Sequence, residues 1–164
     1  MKIIFRSLSR WVGVVVLLAA GTAGADAPPG RYTVTADTVV DNYTQLTWQR
    51  VFSPTTLSWD DAVQYCVSSN VGGFTDWRLP SVKELTTLID PNMLGTGLAA
   101  IDGSAFPLTP AEGFWSSTVY GSNDPFDPGF DSTYFLVDFD GGQSTWYVGN
   151  QEVHPENRVR CVRP

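Results

Sequence analysis

Histidine occurs once in this 164-residue chain, at His154, and cysteine twice, at Cys66 and Cys161. Zinc in a structural site takes four ligands, mostly from these two residue types, so the inventory weighs against one. A catalytic serine needs an imidazole base held by an acid, and Ser116-Ser117-Thr118 has only His154 to draw on. A serine hydrolase is therefore not expected. Long apolar runs are also missing. The longest, Trp11 to Ala20, is half of the ~20 residues that span a bilayer. Basic residues are scarce, ten against 17 acidic ones, and no segment repeats.

The short apolar run has a different use. Lys2, Arg6 and Arg10 precede it, and small residues lead from it to Ala23-Gly24-Ala25. Charge, apolar stretch and an A-x-A site together predict a cleavable signal peptide over residues 1–25. Ala25-Asp26-Ala27 offers an equivalent cut two residues later. No cysteine follows the run and no twin arginine precedes it, which points to the general secretory route without lipid attachment. The product is expected in the periplasm, on the cell surface or in the medium, with no membrane span after cleavage.

Cleavage removes three cations and leaves seven against the 17 acids, a net charge of −10. Such a surface repels phosphate backbones, and nucleic acid is not an expected partner. Arg158, Arg160 and Arg163 form the one possible basic patch. Residues 26–164 are enough for a single domain with a core and too few for two. In an oxidising compartment, Cys66 and Cys161 are expected to pair. In the chain-entropy picture the long loop they close is worth about 4–5 kcal/mol.

Tyr32, Val34, Val39 and Val40 read as strand, followed by a polar turn at Asp41-Asn42 and a return over Leu46–Gln49. Ser58 caps a helix carrying Trp59, Ala62, Val63 and Cys66 at helical spacing, stopped by Gly72-Gly73. Ser81-Val82-Lys83-Glu84 is a capping box for a second helix with Leu85, Leu88 and Ile89 as its apolar stripe, ended by Asp90-Pro91. Beyond residue 92 the chain reads as loops and strands. Strands are expected at Phe114–Thr118, Tyr134–Phe139, Gln143–Val148 and Arg158–Val162, with a tight turn at Asp140-Gly141-Gly142. This order predicts an α+β fold with two short helices on a small antiparallel sheet and a long loop region. The disulfide would then tie the first helix to the last strand.

Several of these segments share a pattern. Leu46-Thr47-Trp48, Trp59-Asp60-Asp61-Ala62 with Tyr65-Cys66, Asp76-Trp77-Arg78-Leu79-Pro80-Ser81 with Glu84-Leu85, Phe114-Trp115-Ser116-Ser117-Thr118, Val137-Asp138-Phe139 and Val159-Arg160-Cys161-Val162 together resemble the Lcl C-terminal domain family. The resemblance covers nearly all of the mature chain. It implies an exported bacterial domain, mostly of unknown function, with a C-type-lectin-like fold and a helix-to-last-strand disulfide. The chain has no Glu-Pro-Asn, Gln-Pro-Asp or Trp-Asn-Asp tripeptide, which sets it apart from calcium-dependent sugar-binding lectins. The family's founding member is associated with sulfated polysaccharides through a basic surface, which a net charge of −10 does not reproduce.

In Asp76-Trp77-Arg78, Trp77 and Leu79 are expected to fill core and Arg78 to pair with a carboxylate. Asp124, Asp127 and Asp131 offer hard oxygens to calcium, though not in the spacing of a helix–loop–helix calcium loop, and a solvated acidic loop is the plainer reading. Tyr120, Phe126, Phe130, Trp146 and Tyr147 are the candidate ligand-binding aromatics, since Trp and Tyr are over-represented in binding hot spots. The leading expectation is a non-catalytic recognition module that needs no cofactor. It would bind a glycan or a protein through the loops of 92–131 and the 143–151 hairpin. The alternatives are an enzyme of the sulfatase-modifying type, which shares a related fold and uses active-site cysteines, and a purely structural envelope protein.

Overall fold

The computed structural model describes residues 27–120, 133–148 and 156–164. The first strand run divides where Thr35 turns back on Thr38. Thr35 Oγ1 accepts the backbone N–H of Thr38 at 2.9 Å. Two antiparallel strands result, β1 (Tyr32–Val34) and β2 (Thr38–Asp41), in place of one strand up to the Asp41-Asn42 turn. Asp41 is fully buried and accepts the N–H groups of Tyr43 and Thr44, which fixes the turn into β3 (Leu46–Gln49).

Helix α1 spans Trp59–Val67, with Ser58 accepting the Asp61 N–H at 3.2 Å. Helix α2 spans only Val82–Thr86. Its capping box forms as the sequence predicts, with Ser81 and Glu84 each accepting the other's N–H. The helix ends before Leu88 and Ile89 because the chain tightens. The N–H groups of Leu88 and Ile89 donate to carbonyls three residues back, at Leu85 and Thr86. Leu88 is still buried, so the apolar stripe outlasts the helix. Single 3₁₀ turns at Val71–Gly73 and Pro91–Met93 were not legible as helix.

Strands β4 (Gly113–Tyr120), β5 (Thr133–Asp138) and β6 (Gln143–Val148) form an antiparallel sheet. The turn between β5 and β6 requires glycine at Gly142, whose φ is +60° and where any side chain would run into Leu94 and Ile89. The expected last strand is reduced to β7 (Val162–Arg163). Residues before it run between elements, bridging Leu57 through Asn157 and Phe114 through Arg158. Instead of one sheet there are two, ordered β1-β2-β3-β7 and β4-β5-β6. The architecture is α+β with antiparallel sheets, and is compatible with a C-type-lectin-like arrangement.

Strand alternation divides the core in two. Phe114, Val137 and Val162 face a cluster with Val39, Trp48, Leu85, Leu88, Phe106 and Phe139. Their neighbours Trp115, Leu136 and Cys161 face the other, with Ala62, Cys66, Trp77, Leu79 and Val159. Helix α2 thus covers one core and α1 the other. The Cys66–Cys161 disulfide lies in the second, with both cysteines fully buried and a sequence separation of 95.

Arg160, next to that disulfide, is also fully buried. Its guanidinium donates to the carbonyls of Gln49 and Arg50 at 2.8 and 2.6 Å and to Thr109 Oγ1 at 2.7 Å. It stacks 4.7 Å from the Phe106 ring centroid and 5.9 Å from that of Phe114. Burial pulls its pKa down to about 9, so it remains charged at neutral pH. Replacing both cysteines by serine is expected to cost about 2–5 kcal/mol, read as a lower denaturation midpoint that reductant no longer shifts. The R160K variant is expected to lose at least about 2 kcal/mol in the same assay, because one ammonium cannot reproduce a planar fork spanning three acceptors.

Candidate functional site

Trp77 and Leu79 are core, and the Trp77 indole N–H donates to the Val71 carbonyl at 3.0 Å. Arg78 binds Glu84 through two bonds of 2.9 and 2.6 Å, as its sequence reading anticipated. Asp76 takes a similar fork from Arg163. In the Phe114–Thr118 run the β4–β5 register shifts between Trp115 and Val119. That irregularity frees three groups to join elements. Ser116 is fully buried and its hydroxyl donates to the Phe135 carbonyl, the Ser117 N–H donates to the Pro80 carbonyl, and Thr118 Oγ1 accepts the Val82 N–H that opens α2. Both tryptophans that face these strands are tied down as well. Trp115 donates to the Leu57 carbonyl and Trp59 to the Ser116 carbonyl, each at 2.8 Å.

These motifs are the signature of a family, and the match is direct. The model of the Lcl C-terminal domain matches residues 37–163. The chain belongs to the Lcl C-terminal domain family. No curated protein and no solved structure matches it. In this Lcl C-terminal domain the signature residues are engaged in packing, capping and joining strands.

The three C-terminal cations do not make a basic patch. Arg160 is buried, Arg158 pairs with Glu112 at 2.8 Å, and Arg163 pairs with Asp76 at 2.5 Å. Of the candidate aromatics, Tyr120 ends β4 opposite Thr133, and Trp146 and Tyr147 stand in β6 opposite Phe135 and Tyr134. Phe126 and Phe130, and with them Asp124, Asp127 and Asp131, lie outside the described residues. Among the described residues no three acidic, histidine or cysteine side chains are grouped to hold a metal ion.

Two concave regions stand out among the described residues. One, of about 250 Å³, lies where the long loop begins, between Ala27–Tyr32, Leu88–Asn92 and Asp102. Arg31 there bridges buried Asp41 and the Thr87 carbonyl. Burial and the carboxylates of Asp41, Asp102 and Asp90 raise the Tyr32 phenol well above its ordinary value, against the opposing pull of Arg31. Burial pushes the Asp102 carboxyl up, but bonds from the Ser104 hydroxyl and the N–H groups of Ala27, Ala105 and Ser104 outweigh it and hold the pKa below the usual value. The acid is thus locked as an acceptor for its own loop and for the Ala27 N–H.

The other, of about 520 Å³, is a cleft between the exit of β3 and α1, lined by Asp37, Gln49, Val51, Phe52, Pro54, Tyr65, Val71 and Arg158. Sequence reasoning missed it. It sought binding aromatics only in the long-loop half, although Tyr65 beside buried Cys66 and Phe52 just past β3 were visible signals.

Among the described residues the strongest carboxylate shift belongs to Glu84, drawn down to about 2 chiefly by the Arg78 guanidinium and further by the N–H and hydroxyl of Ser81, against the opposing effect of burial. Its folded pKa lies below the unfolded value of 4.5, so its contribution is complete above pH 4.5 and lost as pH falls toward 2. With solvent screening at this half-exposed pair, the contribution is about 1 kcal/mol. Melting curves from pH 7 to pH 2 are expected to show E84Q destabilised at neutral pH by about that amount and converging with the unmutated protein at pH 2.

Proposed function

We propose that this protein is an exported, non-catalytic recognition module that binds a glycan or a protein. The observation that carries the reading is that the thiols and the Ser116 and Thr118 hydroxyls of its signature motifs are consumed by the fold. The two cysteines form a buried disulfide, and the Ser116 and Thr118 hydroxyls hold backbone groups of β5 and α2. An enzyme of the sulfatase-modifying type would need a thiol, and this chain has no other cysteine to supply one. The N-terminal signal pattern supports export to the periplasm, surface or medium, and no helix among the described residues is long and apolar enough to cross a membrane.

The charge supports a partner that is not a polyanion. Arg31, Arg78, Arg158 and Arg163 are each paired with a carboxylate and Arg160 is buried, which leaves Arg50 and Lys83 as the accessible cations without an ion pair among the described residues. Recognition without a metal is the simpler form of the reading, with calcium at the 124–131 loop as its variant.

Unreduced protein secreted from its signal peptide, presented to glycan and protein arrays with and without calcium, tests the reading. Saturable binding to an uncharged glycan or a protein, unchanged by chelation, is expected, together with the absence of titratable thiol. Substrate turnover by a reactive thiol would sink it in favour of the enzyme. Co-purification with one fixed envelope partner and no array ligand would favour a structural subunit.

A further inference from the structure

No residue of 92–131 lines the cleft between β3 and α1, and its lining is of a particular kind. Phe52 and Tyr65 supply half-buried aromatic walls, with Val51, Pro54 and Val71 around them. Its floor is rigid. Gln49 is buried, its side-chain amide donates to Ser69 Oγ at 2.7 Å, and its backbone N–H donates to the Cys161 carbonyl at 3.0 Å beside the disulfide. Arg158 is fixed too, donating to Glu112 and to the Pro54 carbonyl and lying 5.5 Å from the Phe52 ring centroid. A site held in this way gives up little freedom when it is filled.

The polar groups left over define the ligand. The Tyr65 phenol is half-buried without a hydrogen-bond partner among the described residues, and burial alone raises its pKa. Asp37 is exposed and carries no ion pair among the described residues. The one cation of the cleft, Arg158, is already matched by Glu112. A sulfate, phosphate or carboxylate would therefore meet an unmatched Asp37 and no free positive charge. A wholly apolar group would strip water from Asp37 and from the phenol without replacing it. A sugar ring meets both demands: its C–H face suits an aromatic wall, and its hydroxyls both donate and accept. The volume is within the roughly 300–1,000 Å³ of small-ligand sites.

We infer that the Phe52–Tyr65 cleft is a binding site for a neutral saccharide unit, with Tyr65 as the stacking wall and Asp37 and the Tyr65 hydroxyl as its hydrogen-bonding pair. This rests on the recognition reading above and gives that reading a site and a ligand class.

The test is titration of the disulfide-intact secreted protein with neutral mono- and disaccharides, followed by tryptophan fluorescence and calorimetry. D37N and Y65F change single polar groups at exposed or half-exposed positions, while Y65A removes the wall and is checked for folding by its melting temperature. At least one neutral saccharide is expected to bind, about 10-fold more weakly to D37N and about 5-fold more weakly to Y65F. If a saccharide binds and D37N and Y65F bind it unchanged, the cleft is not its site and the inference fails while the recognition reading stands. If only sulfated saccharides bind, or the arrays yield a protein ligand and no neutral saccharide, the ligand class is overturned. If neither arrays nor titration yield any ligand, the recognition reading falls with it.

Discussion

A guanidinium buried without a carboxylate is costly, and the way Arg160 meets that cost organises the domain. Desolvation of the charge is offset by two main-chain carbonyls at the end of β3, the Thr109 hydroxyl and two aromatic rings. These acceptors come from segments about 50 and 110 residues away in sequence, so the charge is solvated only when the chain has closed on itself. The same grip holds the Phe106–Thr109 turn in shape. There Leu108 adopts a left-handed φ of +60° and is 91 % exposed, a conformation a leucine does not choose unaided. The neighbouring residue, Cys161, is bonded to α1, and the next, Val162, pairs with β3 and bridges to Arg78. Three consecutive residues thus join both cores and the four-stranded sheet.

That closing segment also explains why the family signature is a signature of fold. Arg78, Trp115, Ser116 and Thr118 each link segments distant in sequence, while Trp77 and Ser81 hold the chain locally ahead of and into α2. A buried tryptophan with a satisfied indole N–H, or a serine holding a strand carbonyl, is hard to replace without leaving a polar group unpaired. Family membership therefore identifies an architecture. The concave surfaces that this architecture leaves differ in character. The small pocket beside β1 has its acids locked into its own loop, whereas the cleft beside α1 has a rigid floor and unspent polar groups.

Much of the fold was legible because its signals are local. Ser58 and Ser81 satisfy N–H groups within the next turn, and the Asp140-Gly141-Gly142 turn requires a glycine. The disulfide was legible from its chemistry, two cysteines in a chain whose N-terminal pattern predicts export. What failed were the non-local features. The stripe Leu85–Leu88–Ile89 marks burial, and burial does not require the helix to continue through it. The Arg158–Val162 run looks like a strand, but its partners change from Phe114 at Arg158 to Ser53 at Val159, Gln49 at Cys161 and Arg78 at Val162, so no continuous ladder forms. The basic cluster at the C-terminus dissolved because each arginine is taken up by a different distant partner: Arg158 by Glu112, Arg163 by Asp76, and Arg160 by the carbonyls and rings that bury it.

The sequence alone determined the class of fold, both helix starts, the pairing of Cys66 with Cys161 and the roles of Trp77, Arg78 and Leu79, because each follows from short-range hydrogen bonding, alternation or residue chemistry. Tertiary structure decided that there are two sheets and two cores, that Arg160 is solvated by carbonyls and rings, and that Phe52 and Tyr65 face one cleft. Those outcomes depend on which distant surfaces meet, and no local pattern encodes that.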